Sequence, residues 1–191
     1  PELLSMLPSG IFDNSPIEKY LRDNIERNGL TNDFLTAEKL TQKKLYICAM
    51  NLDGARRVIF GPDEKNDVSI SQAVQASTAM PGFYKPANID GVDYVDGGVQ
   101  ETANIDVAIK KGAQLIICYN PFRPYDPDEL KQKINRKKGM ANSQGRLAQK
   151  GVLEVLNLIC RAFFHARLHI ALDYFRNDPK FKGDIILIEP S

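Results

Sequence analysis

Ala76-Ser77-Thr78-Ala79-Met80-Pro81-Gly82-Phe83-Tyr84, followed by Ile89-Asp90-Gly91-Val92-Asp93-Tyr94-Val95-Asp96-Gly97-Gly98, is the stretch on which the reading of this chain turns. The first segment reads as the end of a helix, stopped by Pro81-Gly82. The second reads as a strand that carries a carboxylate, Asp96, into two consecutive glycines. Glycine permits positive φ and close approach of other backbone. A carboxylate on a loop held by a rigid strand is a common way to place a catalytic acid or base. Asp-Gly is also a frequent turn pair, and Asp53-Gly54 and Asp90-Gly91 are read as turns and nothing more.

Outward from that stretch the chain alternates helical and strand patterns. Ser15-Pro16-Ile17-Glu18 has the form of a capping box with Ser15 as N-cap and proline at the first helical position. Ile17, Tyr20, Leu21 and Ile25 then share one face, and Gly29 stops the helix. Leu45 to Met50 and Arg57 to Phe60 flank Asp53-Gly54 as a hairpin. Ser69 or Asp67 caps a helix through Ala76, and Asn104 caps another from Ile105 that Gly112 closes. Leu115 to Tyr119 is a continuous apolar run, the pattern of a strand covered on both faces. A long helix from Val152 to Phe175 and a strand from Ile185 to Ile188 complete the order. Such alternation predicts an α/β fold of layered helix–sheet–helix type with a largely parallel sheet.

Bulk properties narrow the function. At 191 residues the chain has the size of one ordinary domain. A net charge of +1 gives no global field of the kind nucleic-acid binders show, so no nucleic-acid partner is expected. Uninterrupted apolar runs stay far short of the ~20 residues that span a bilayer. The three cysteines, Cys48, Cys118 and Cys160, are odd in number and lack zinc-like spacing. Free thiols in a reducing compartment follow, which favours a cytoplasmic or peripheral-membrane location. Residues 121–151 stand apart as a basic loop or helix insertion. There Arg123, Lys131, Lys133, Arg136, Lys137, Lys138, Arg146 and Lys150 outnumber Asp126, Asp128 and Glu129. It reads as a solvated surface with weak attraction to anionic headgroups, about 1 kcal/mol per basic residue at most.

The quoted motifs resemble those of the patatin-like phospholipase family. In that family a helix ending A-S-x-A-x-P precedes a short hairpin and an aromatic-x-D-G-G that carries the catalytic aspartate. Ser9-Gly10-Ile11-Phe12-Asp13, Ala108 to Ala113 with the strand after it, and Ile185 to Pro190 are similar to flanking parts of the same domain. The resemblance implies that Asp96 is catalytic, supported by Gly97 and Gly98, and that the substrate is a phospholipid or another acyl-ester lipid. It implies neither cofactor nor metal. The family's serine lies in G-x-S-x-G before the aspartate, behind a glycine-rich oxyanion loop, and neither motif occurs in these residues. Ser143, in Ala141-Asn142-Ser143-Gln144-Gly145, follows a polar basic run rather than the buried strand that an elbow needs, and it is rejected. Residues 1–191 are therefore expected to be the C-terminal portion of a single catalytic domain. Its partner would be the N-terminal remainder of that domain, and the portion alone would be inactive. One departure is the absence of the Asn-Pro pair that commonly follows D-G-G; here Asn104 stands without proline.

A serine becomes a nucleophile when a base within hydrogen-bond reach takes its proton. A carboxylate can be that base if burial raises its pKa toward the working pH. This is the expected Ser–Asp dyad, a serine acyl-ester hydrolase in the whole protein. Two alternatives stay open. One is an α/β-hydrolase esterase with a Ser–Asp–His triad, since nucleophile, acid, histidine is the order of that group. The other is a non-catalytic lipid-binding scaffold of the same fold. His165 and His169 are four apart on the long helix with Asp173 four further on, so all three share a face. That spacing could suit a metal, but it reads as a polar stripe on a half-exposed helix.

Overall fold

A computed structural model describes residues 8–121 and 151–189. Ser143 and nearly all of the basic segment expected at 121–151 lie outside the described residues. The chain divides into two compact units, Pro1–Asn104 and Ile105–Ser191.

The first unit contains α1 (Ser15–Arg27), α2 (Phe34–Thr41), β1 (Ile47–Asn51), β2 (Arg56–Phe60), α3 (Ile70–Thr78), β3 (Ala87–Ile89), β4 (Val92–Asp96) and a 3-10 turn over Gly97–Val99. Its four strands form one sheet in the order β2-β1-β4-β3, and every neighbouring pair is antiparallel. The expectation of a largely parallel sheet is corrected here. Parallel neighbours need a crossover of a dozen or more residues, whereas Asp53-Gly54 and Asp90-Gly91 make tight hairpins. Asp90 (φ 52°) and Gly91 (φ 82°) both take positive φ, the requirement of a type I′ turn.

Helix α3 lies on this sheet, touching β1 and β4. Small side chains make that possible: Ala73 and Ala76 are fully buried, together with Ala49 of β1. Phe34, Phe60 and Tyr94 are the large aromatic side chains of that core, the last two meeting edge-to-face with centroids 5.6 Å apart. Ser69 caps α3 in a reciprocal capping box with Gln72, as the sequence predicts. The start of α1 differs from expectation. Ser15 is already helical and Asn14 is the N-cap, without a side-chain cap bond. Asn14 is buried, and its Nδ2 donates instead to the Gln75 carbonyl at 2.8 Å, a tertiary bond that competes with capping.

The second unit contains α4 (Ile105–Lys110), β5 (Leu115–Tyr119), α5 (Val152–Arg176) and β6 (Asp184–Ile188). Here the parallel expectation holds: β5 pairs with β6 in parallel from Leu115↔Asp184 to Tyr119↔Ile188. The core combines Ile105, Cys118, Leu168, Ala171, Leu172 and Ile185. Strand residues alternate, so Leu115, Ile117, Tyr119, Ile186 and Ile188 are exposed on the opposite face. The continuous apolar run of β5 is thus buried on one face only, where its sequence predicts cover on both. Over Glu154–Arg176, α5 is long and apolar enough by composition to cross a membrane. Phe164, Leu168, Ala171 and Leu172 of this helix are buried, whereas Ile159, Phe163, Ile170 and Tyr174 are exposed.

Where the chain leaves β4, its backbone runs against β1. A Cβ on Gly97 would sit 2.6 Å from the Cys48 carbonyl oxygen and 3.1 Å from the Ala49 nitrogen. These are backbone atoms that cannot swing aside. Gly97→Ala is therefore expected to destabilise the protein by about 1–3 kcal/mol, the usual range for forced overpacking. Urea denaturation of the two proteins checks this; an unchanged midpoint would contradict the close approach.

Candidate active site

Asp96 is the last residue of β4, opposite Ala49 of β1. Its backbone N–H donates to the Ala79 carbonyl at 3.0 Å. Ala79 is the C-cap of α3 and is fully buried. The helix-end motif and the Asp-Gly-Gly motif are therefore bonded to each other directly. Asp96 also caps the 3-10 turn, with φ −49° and ψ 126°, its side chain accepting the Gly98 N–H at 2.8 Å.

The carboxylate is half-buried. Burial raises its pKa above the ordinary value, and the hydrogen bond from Gly98 opposes that rise only in part. Desolvation of the charged form is the physical cause. A carboxylate so placed holds a proton more readily than one in water, which a general base must do. The twin glycines do different work. Gly97 is required by contact with β1 rather than by φ, since its φ is not positive. Gly98 supplies the N–H.

The segment that lacks the Asn-Pro pair has a strained course. Ala103 and Asn104 take φ of 67° and 48°, a left-handed region that costs non-glycine residues energy. Asn104 Oδ1 accepts from Arg57 Nη1 at 3.1 Å, and Thr102 Oγ1 donates to the Gly98 carbonyl at 3.3 Å. Both bonds tether the loop that follows the glycines.

Sequence reading missed a polar cluster in the same unit. A cavity of about 400 Å³ is lined by Glu18, Arg22, Ser69, Gln72, Gln75 and Asn88. At its edge Ser71 Oγ donates to Glu18 Oε1 at 2.9 Å and accepts from Asn32 Nδ2 at 2.8 Å. Ser71 is fully buried, so this serine serves as a structural link between α1 and α3 and not as a nucleophile. The signal was Glu18, which caps nothing and instead reaches Ser71 and Arg22.

His165 and His169 lie in the second unit. The unit that carries Asp96 contains no histidine. Asp173, the expected third member of the stripe, is exposed. The acid that meets the histidines is Glu189, which sequence spacing on one helix could not reveal.

The family model described as patatin-like phospholipase matches residues 2–109. The chain belongs to that family. Its match includes the whole of the Asp-Gly-Gly motif and the Ala79 segment bonded to it. Among curated proteins the chain is 30% identical over 105 residues to an uncharacterized protein, YjjU, of Escherichia coli (strain K12), covering 53% of this chain and 29% of that protein. It is 27% identical over 103 residues to "Probable lipid hydrolase 463L" of Invertebrate iridescent virus 6, covering 53% of this chain and 36% of the viral protein. The matched stretch thus spans about a third of each relative's length.

A raised pKa in the folded state has a consequence for stability. The folded chain binds the Asp96 proton more tightly than the unfolded chain, whose value is near 3.8. Stability from this group is greatest below 3.8 and falls as pH rises through the window from 3.8 to the raised value. Asp96→Asn removes the ionisation but keeps an oxygen for the Gly98 N–H. It is expected to be at least as stable as wild type at neutral pH, with the difference vanishing below that window. Paired urea titrations across pH measure this; a variant less stable at neutral pH would contradict it.

Proposed function

We propose that this chain carries the general base of a lipid acyl hydrolase, with Asp96 acting on a serine that residues 1–191 do not contain. The reading rests above all on one observation: Asp96, at the end of β4 beside Gly97 and Gly98 and within the matched residues 2–109, is half-buried, and that burial raises its carboxyl pKa above the ordinary value. The relative described as a lipid hydrolase supports the substrate class.

In this mechanism Asp96 takes the proton from the serine hydroxyl as its oxygen attacks the acyl carbonyl of the lipid. The tetrahedral oxyanion is stabilised by backbone amides, each worth roughly 3 kcal/mol in comparable sites. Collapse leaves an acyl-serine, and Asp96 returns the proton to the departing alcohol. Water, deprotonated by the same carboxylate, then releases the fatty acid and regenerates serine. No histidine is needed, which fits a unit whose sequence has none. Residues 1–191 would be inactive alone. Phospholipids and related acyl-ester lipids are the proposed substrates, met at the surface of a membrane rather than within it.

The test uses the full-length protein. A fluorophosphonate serine probe is expected to label it, and Asp96→Asn is expected to lower ester hydrolysis by roughly 10²–10⁴-fold, the usual contribution of a general base. No labelling of a folded protein would favour the non-catalytic scaffold. A loss in His169→Ala as large as that in Asp96→Asn would replace the dyad by a histidine triad.

Membrane contact is testable separately. Basic residues outnumber acidic ones in residues 121–151, so flotation with anionic vesicles should recover more protein than flotation with neutral ones. Equal partitioning rules out an electrostatic contribution.

A further inference from the structure

Among the described residues, a convergent set of side chains outside the Asp96 site lies in the second unit, at the carboxyl ends of two parallel strands. Tyr119↔Ile188 is the last registered pair of β5 and β6, and the next residues are Asn120 and Glu189. Helix α5, which connects the two strands, presents His165 and His169 there on successive turns. His165 Nδ1 lies 3.3 Å from Glu189 Oε1, and His169 Nε2 lies 3.9 Å from the same oxygen. The imidazole rings stand edge-on with centroids 4.3 Å apart. One donor atom from each member of the trio falls within 4.8 Å of the other two.

Two features separate this trio from an ordinary polar stripe. First, His165 Nδ1 and His169 Nε2 are buried atoms without a hydrogen-bond partner, although both face one carboxylate oxygen. Buried polar atoms are normally satisfied, and an ion held between these nitrogens and the carboxylate would satisfy them. Second, that carboxylate is oriented from behind. Asn120 is 5% exposed and donates its Nδ2 to Glu189 Oε1 at 2.7 Å, while its backbone N–H donates to the Ile188 carbonyl at 2.9 Å. A hydrogen-bonded carboxylate held in place by a buried amide is the outer support that metal ligands usually have.

We propose that His165, His169 and Glu189 bind a divalent transition-metal ion of the zinc class. Metal–ligand bonds of about 2.0–2.2 Å in a tetrahedron set neighbouring donor atoms about 3.3 Å apart. The His165–Glu189 separation already has that length, the His169–Glu189 separation is 3.9 Å, and the separation of the two histidine ligand atoms lies within 4.8 Å; the half-exposed His169 side chain would turn to close the last two. Two imidazoles and one carboxylate suit zinc or cobalt better than calcium or magnesium, which prefer all-oxygen sites. Three protein ligands leave a fourth position for water or a further group. The ion would tie α5 to the end of β6, two elements of the same unit, and the site is independent of the hydrolase reading.

The experiment takes the full-length protein, strips it with a chelator, reloads it with Zn²⁺ and removes excess metal. Elemental analysis should find one zinc per chain attributable to this site, and Zn²⁺ should raise the midpoint of thermal unfolding. Co²⁺ in its place should give the visible absorption of a tetrahedral site. His169→Ala should lose that zinc and both signatures, weakening affinity by at least about 100-fold, the upper end of what loss of an outer partner does. The metal-free His169→Ala protein should unfold at the temperature of metal-free wild type, because the position is half-exposed. Glu189→Gln, close in shape to the natural residue, should weaken binding as well. If wild type retains no zinc beyond what both variants retain, the site does not exist and the trio is a polar stripe.

Discussion

At the end of β4 the chain passes so near β1 that no side chain fits on residue 97, where a Cβ would lie 2.6 Å from the Cys48 carbonyl oxygen. This approach fixes where β4 ends and therefore where Asp96 stands. With Gly97 held against β1, the Asp96 N–H reaches the Ala79 carbonyl and its carboxylate reaches the Gly98 N–H. Helix α3 is drawn into the same arrangement through Ala79, and it can sit close because Ala73 and Ala76 are small. The sequence motif is thus the record of three backbone segments meeting in one place.

The same packing sets a conflict between stability and chemistry. A half-buried carboxylate with one backbone donor is less comfortable ionised than it would be in water, which is why its pKa rises. More donors would have lowered the pKa and made the group a better structural acceptor and a poorer base. Within the proposed mechanism, limited satisfaction of Asp96 is what leaves it able to accept the proton of an incoming hydroxyl. Functional sites commonly retain such locally unfavourable groups.

Local signals in the sequence are legible where one or two residues decide the outcome. Asp90-Gly91 gives the hairpin turn because both residues tolerate positive φ, and Ser69 with Gln72 gives the helix start because both groups of the capping box are within three residues. Signals fail where distant partners decide. Ser15 looks like an N-cap, yet Asn14 takes the position because its side chain finds the Gln75 carbonyl, far along the chain. The direction of the first sheet is misleading because alternation of helix and strand suggests parallel pairing, whereas hairpin turns within that alternation force the antiparallel one. The run of β5 looks doubly covered because every residue is apolar; only the second unit's packing shows that Leu115, Ile117 and Tyr119 face outward. Of the site, Asp96 and its glycines are legible as a motif, but the reason for Gly97 is not, since nothing local announces that Cys48 lies above it.

The two histidines show how one set of side chains constrains several readings at once. A triad needs an imidazole nitrogen with a free lone pair, presented to a serine and oriented by an acid. In the second unit both inward-facing nitrogens converge on Glu189 Oε1, whose other partner is the buried Asn120 amide. An imidazole that coordinates a metal at that nitrogen has no lone pair left there for catalysis. The proposed metal site and the proposed Ser–Asp dyad make compatible demands on this chain, because they draw on different side chains. Asp96, with its proton affinity raised by burial alone, is the group whose chemistry asks nothing of the histidines.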